Sequence, residues 1–196
     1  MNKKHKTITV YAGSADNVDS VFIEQAYQLG KTLAIQKRRL VFGNGKTGLM
    51  GAVARGALEH QGEICGVIND DLNLSHLVFD QGIIIEKVSD IQVRQHRMNQ
   101  LGDAFIALPG GFGTLYEALE ALTWAQIGYH KKPVGFLNTA GYYDPLMAMF
   151  DQAIEKGFIF PEHRDLYLMS DDPEALLEAI DNFSPPQNMN RWLTRE

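Results

Sequence analysis

Leu108-Pro109-Gly110-Gly111-Phe112-Gly113-Thr114-Leu115-Tyr116-Glu117 places three glycines between an apolar run and a helical one. Residues 103–108 have the β-prone, apolar character of a buried strand, and residues 113–127 repeat apolar side chains at helical spacing. A strand turning through glycine into a helix is the repeating unit of an open parallel sheet. The same alternation extends in both directions. Strands are predicted at 7–11, 39–42, 64–68, 133–137 and 166–169, and helices near 18–37, 48–60, 89–101 and 145–156, with a last helix opening near Pro173. The expected fold class is therefore α/β, a parallel sheet with helices on both faces. Ser89 and Gln92 have capping-box spacing, and Asp144-Pro145 and Asp172-Pro173 read as acidic N-caps before a first-turn proline. Gly157 closes the helix that Asp144 opens. The segment 69–87 is less regular and reads as a loop over the site.

The chain has 196 residues, 45% of them hydrophobic and 21% charged, which suits one globular domain. Residues 1–183 are expected to form that domain, and 184–196, from Ser184-Pro185-Pro186 onward, a loosely held tail. A formal charge of −6 argues against a nucleic-acid surface, which needs a basic stripe. The basic start at 1–6 is followed by too short an apolar run for a signal peptide, and no run approaches ~18 apolar residues. A cytoplasmic protein with no membrane partner is expected. Cys65 is the single cysteine, so no internal disulfide can form, and its apolar flanks predict a core residue. The six histidines show no metal-ligand spacing, and no metal is expected.

Three predicted strands run into glycine, at Gly13-Ser14, at Gly43-Asn44-Gly45 and at Gly110-Gly111-Phe112-Gly113-Thr114. In an open parallel sheet these turns meet at the carboxyl edge, where ligands bind. The helix that starts after the third turn offers unpaired N–H groups and the positive end of its dipole, which suit a phosphate. Gly45-Lys46-Thr47 is no Walker A loop, because Leu40 stands where the motif's first glycine belongs. No G-x-G-x-x-G follows the first strand, which weighs against a dinucleotide site.

Arg94 shares a helical stripe with Ile91, Met98 and Leu101. An unpaired guanidinium there is costly, so Arg94 is expected to meet an anion or a carboxylate, as a functional group or as a structural ion pair. Arg97, at the edge of the stripe, can reach water. Glu117 reads as a first-turn residue of the helix opened by Gly113-Thr114, where the dipole favours its ionised form. Two readings stand for it: a helix-terminal charge, or a carboxylate beside whatever the glycine turn binds.

The segment 108–117 resembles the P-G-G-x-G-T-x-x-E signature of the Lonely Guy family, the cytokinin-riboside 5′-monophosphate phosphoribohydrolases. Further matches are Gly13-Ser14, Gly48-Leu49-Met50-Gly51, Thr123-Trp124-Ala125-Gln126-Ile127-Gly128, His130-Lys131-Lys132-Pro133 and Gly141-Tyr142-Tyr143-Asp144. The resemblance implies a Rossmann-like three-layer sandwich, a homodimer or larger assembly, and no cofactor. It implies catalytic roles for Arg94 and Glu117 and phosphate contacts at Gly110, Gly111, Gly113 and Thr114. Gly13, Ser14, Gly45 and Thr123 complete the expected substrate-binding set. The implied reaction cleaves a purine nucleoside 5′-monophosphate into free base and ribose 5-phosphate. Gln95, Tyr116 and Asn44 depart from the family's lysine, acid and glycine, and Asn69 from the proline of an I-P element. Two rivals stand beside this reading: a nucleotide or cofactor carrier without catalysis, and a general AMP nucleosidase unrelated to cytokinin. A lysine decarboxylase, a label these proteins often carry, needs a Schiff-base lysine. Lys46 is the single lysine in a glycine turn, and nothing else supports that cofactor.

Overall fold

The computed structural model describes residues 5–187, so residues 188–196 of the expected tail lie outside it. Its strands are β1 (Thr7–Tyr11), β2 (Arg39–Phe42), β3 (Ile64–Asn69), β4 (Ile84–Val88), β5 (Ala104–Ala107), β6 (Val134–Leu137) and β7 (Tyr167–Ser170). They form one parallel sheet in the order β4-β3-β2-β1-β5-β6-β7. The helices are α1 (Ser20–Ile35), α2 (Gly48–Glu59), α3 (Ile91–Leu101), α4 (Phe112–Gln126), α5 (Asp144–Glu155) and α6 (Pro173–Asp181).

The pleat sends alternate strand residues into two cores. Ile8, Val10, Ala104 and Ile106 pack against α1, α2 and α6 through Leu29, Leu33, Val53, Leu176 and Ile180. Tyr11, Phe105 and Ala107 face the other way, against Met98 of α3, Ala118 and Ala121 of α4, and Phe150 of α5. Both faces of the sheet are thus covered, which explains why its central strands read as unbroken apolar runs. This is the three-layer, Rossmann-like α/β sandwich expected. Cys65 is a fully buried free thiol of the second core, its pKa raised by burial. No helix among the described residues is long and apolar enough to cross a membrane.

The strand order reverses at β1, which pairs with β2 on one side and β5 on the other. The loops leaving β1 and β5 diverge to opposite faces, opening a crevice at the switch point. Gly13 N donates to Pro109 O across it at 3.1 Å.

Three local expectations are corrected. Segment 69–87 is not all loop: β4 begins at Ile84 and pairs in parallel with β3 from Cys65↔Ile84 onward. It is an edge strand with Ile84 and Ile85 exposed, so its pattern lacks the buried character of its neighbours. The N-cap of α3 is Asp90, not Ser89: the Asp90 carboxylate accepts from Gln92 N and Val93 N, and the Ser89 hydroxyl donates to Asp90. Asp144 is the first residue of α5 rather than its cap, and its carboxylate accepts from Asn138 Nδ2 at 2.8 Å. Asp172 does cap α6, accepting from Ala175 N, and Gly157 follows α5 with φ +80°.

Candidate active site

A cavity of about 350 Å³ opens at the switch point, lined by the first glycine turn, the third glycine turn, and residues of α3 and α4. Arg94 and Glu117 form its charged floor. Arg94 is 6% exposed, held by a carbonyl of β3 and by that of the residue following β2. Its Nε donates to Val67 O at 3.0 Å and its Nη2 to Gly43 O at 3.1 Å. Gly43 is required there, since a Cβ would lie 1.9 Å from Nη2. Nη1 reaches Glu117 Oε1 at 3.4 Å. Three of the guanidinium's five N–H donors are thereby used, leaving two for a ligand. The expected carboxylate partner of Arg94 is found, but its helical stripe is displaced. The buried face of α3 is Arg94, Gln95, Met98 and Asn99, while Ile91 is half exposed. Arg97 pairs with Glu86 of β4.

Glu117 corrects a second expectation. α4 begins at Phe112 with Gly111 as its cap, so Glu117 falls in the second turn, beyond the reach of the helix terminus. Burial pushes its carboxyl up to about 7, opposed by the charge and hydrogen bond of Arg94. Desolvation prevails because the Arg94 contact is long and that guanidinium is shared with two carbonyls. A group half-ionised at neutral pH is suited to exchanging protons.

The glycine turn divides its labour. Gly110 is structural: a Cβ would meet Thr114 Oγ1 at 2.1 Å and Gly13 N at 2.8 Å. Gly111 and Gly113 instead have nothing within 4 Å of where a Cβ would stand, and both line the cavity. Since the Gly111 cap has no side chain, the first amides of α4 have no capping acceptor. Thr114 and Ser14 also line the cavity. Gly13 lines it too, but its N–H is spent on Pro109 O.

Two expected residues are not brought to this floor. Gly45 N points to Met50 Sδ, and it is Met50 that lines the cavity. Thr123 lies two turns further along α4, exposed, its hydroxyl donating to Leu119 O at 2.7 Å. Asn44 stands at φ +63°, a conformation asparagine tolerates better than most residues, and its Nδ2 donates to Phe79 O. From segment 69–87, Leu72 reaches the cavity wall.

Sequence reasoning missed a polar network beneath the ion pair. Tyr11 donates to Asn99 Oδ1, Asn99 Nδ2 to Glu120 Oε2 at 3.1 Å, and Tyr116 to Glu120 Oε1 at 3.2 Å. Burial, then the charges of Glu117 and Glu120, push the Tyr11 hydroxyl well above its ordinary pKa. The available signal was positional: a tyrosine ending the central strand one residue before Ala12-Gly13. A larger cavity of about 620 Å³ lies at the opposite edge of the sheet, between His130, Lys132, Leu166 and Phe183. It contains neither Arg94 nor Glu117, so its size does not make it the reaction site.

Residues 50–180 match the family described as "Possible lysine decarboxylase". A probable cytokinin riboside 5′-monophosphate phosphoribohydrolase of Oryza sativa subsp. japonica is 38% identical over 94% of this chain and 76% of its own length. A cytokinin riboside 5′-monophosphate phosphoribohydrolase of Arabidopsis thaliana is 39% identical over 93% of this chain and 84% of its own. The chain belongs to the Lonely Guy family. The fold of this Lonely Guy protein also resembles the molybdenum cofactor carrier protein of Chlamydomonas reinhardtii. That match has a TM-score of 0.68 and 21% identity, over 90% of this chain and 96% of the other. A molybdenum cofactor binding protein from Rippkaea orientalis gives 0.66 and 22%, over 90% and 95%. At that identity the likeness establishes architecture alone.

Proposed function

We propose that this protein hydrolyses the N-glycosidic bond of adenine or N6-substituted adenine nucleoside 5′-monophosphates, releasing free base and ribose 5-phosphate. The observation that carries the reading is the buried Arg94–Glu117 pair beside an uncapped, glycine-opened helix start. A phosphate carrier needs the helix start, but gains nothing from a buried carboxylate next to its anion. The names of the plant relatives point to the same chemistry.

In this reading the 5′-phosphate lies against the amides of α4 at Gly111, Gly113 and Thr114, which fixes C1′ over Glu117. As the C1′–N9 bond breaks, its electron pair leaves with the base and positive charge develops on the ribose. Ionised Glu117 stabilises that charge and takes a proton from the attacking water, whose oxygen bonds to C1′. The two remaining N–H donors of Arg94 stabilise the negative charge gathering on the departing purine, which then takes up a proton. Met50, Leu72 and Ile91 supply an apolar wall for the base and any N6 substituent. Decarboxylation of lysine fits poorly: no lysine lines the cavity, and Lys46 Nζ is engaged with Ser75 O.

The test compares monophosphates with their nucleosides. AMP and N6-isopentenyl-AMP are expected to release base without added metal or nicotinamide, and adenosine to be a far poorer substrate. Equal kcat/KM for adenosine and AMP contradicts phosphate anchoring at the glycine turn.

A further inference from the structure

Gln95 follows Arg94 on α3, is 4% exposed, and lines the same cavity. Neither its Oε1 nor its Nε2 makes a hydrogen bond of normal geometry. The Tyr11 hydroxyl, which Gln95 approaches, gives its own hydrogen to Asn99 and so has none to offer Oε1. Leaving a buried donor or acceptor unpaired costs about 1–3 kcal/mol each, so folded proteins rarely leave such a group unexplained. The amide's donor end is directed at the Tyr11 oxygen, while Oε1 receives no hydrogen from any group of the protein around it. The cavity is the remaining direction from which partners can come.

We infer that the Gln95 amide is a substrate contact that takes the ribose 2′- and 3′-hydroxyls, one donating to Oε1 and the other accepting from Nε2. The inference rests on the hydrolase reading above and assigns a residue to the sugar. Gln95 lines the cavity together with Arg94 and Glu117, and all three act on the one Tyr11 hydroxyl, so Gln95 lies close to the place where C1′ must sit. The 2′-hydroxyl is on the neighbouring carbon. A cis-diol offers a donor and an acceptor side by side, which is the complement of a primary amide. A phosphate offers acceptors alone and leaves Oε1 facing an anion. The purine faces are better matched by the apolar wall of Met50, Leu72 and Ile91. Hydrogen bonds to the 2-hydroxyl strengthen as positive charge develops on a sugar, so this contact acts on turnover as well as on binding.

The test sets AMP against 2′-deoxy-AMP in the wild type and in Gln95→Leu, with Gln95→Glu as an isosteric variant that has lost the amide donor. The expected result is that Gln95→Leu shrinks the AMP to deoxy-AMP ratio of kcat/KM by about tenfold or more, through loss on AMP. The melting temperature of the free protein is expected to hold or rise, because an unpaired buried acceptor is removed. If both substrates lose equally, or the melting temperature falls with the ratio unchanged, Gln95 is structural and the inference is wrong. Calorimetry of ribose 5-phosphate against 2-deoxyribose 5-phosphate gives a readout that needs no turnover. A preference for the ribo form that Gln95→Leu abolishes supports the assignment even if no base is released, an outcome that sinks the hydrolase reading alone. No such preference, or one that survives in Gln95→Leu, overturns it.

Discussion

At Arg94 the sequence exposed a requirement: a guanidinium on a buried helical stripe needs partners, and the structure supplies Glu117 with two backbone carbonyls, Val67 O and Gly43 O. Those carbonyls were not legible, because they come from chain segments 27 and 51 residues away. The ionisation of Glu117 was misread for a related reason. Dipole arguments use position along one helix, whereas desolvation depends on everything packed around the carboxyl. Its raised pKa has two consequences. The carboxylate form is needed for the proposed chemistry, so kcat/KM is predicted to rise with pH through about 7, and Arg94→Gln is predicted to move that limb upward by removing the opposing charge. Stability moves the other way. The folded carboxyl holds its proton up to about 7 and the unfolded one only to an ordinary 4.5, so stability falls as pH rises across that window. Glu117→Gln mimics the protonated form. It is predicted to melt higher than wild type at pH 8 and to differ little at pH 5, as thermal melts at the two pH values can check. A melting temperature lower at both values returns Glu117 to a purely structural role.

The elements with strong periodicity were readable to within a residue or two. β1 and β2 have the predicted limits, and α4 starts one residue before the expected position. β4 was not readable, because an edge strand exposes its isoleucines and buries little of its Glu-Lys pair. Its charge partner Arg97 arrives from α3, which no local pattern announces. The glycine turn was found, but its glycines looked equivalent and are not. Gly110→Ala forces a methyl against Thr114 and the Gly13 amide, so it is predicted to lower the melting temperature and activity together. Gly111→Ala meets open space, so its melting temperature is predicted to stay close to that of the wild type while KM for AMP rises about tenfold or more, because the methyl intrudes where phosphate binds. Unchanged KM in a folded Gly111→Ala protein moves the phosphate elsewhere.

For the whole molecule, the strand order opens a crevice beside β1, and of the three glycine turns at that edge the first and third line its cavity. Assembly is less directly written. Phe112, Tyr116, Thr123 and Ile127 fall within about 60° of one another around α4, at ~100° per residue. This face is exposed, with Phe112 at 93%. Exposed Phe112, Tyr116 and Ile127 on one side of the helix fit burial against a second copy, and a homodimer formed through α4 is proposed. Light scattering at micromolar protein is predicted to give twice the 21.9 kDa chain mass, and Ile127→Asp to reduce it. A monomeric wild type contradicts the assembly without touching the fold. The Arg94–Glu117 floor is proposed to break a glycosidic bond. Its most direct test is chromatographic measurement of adenine and ribose 5-phosphate from AMP, for wild type and for Glu117→Gln, with AMP binding followed by calorimetry. Equimolar products are expected from the wild type, and from Glu117→Gln a loss of turnover of about 10²-fold or more with binding retained. Product formation by Glu117→Gln at the wild-type rate, or none by the wild type from any purine monophosphate, contradicts that role for the floor.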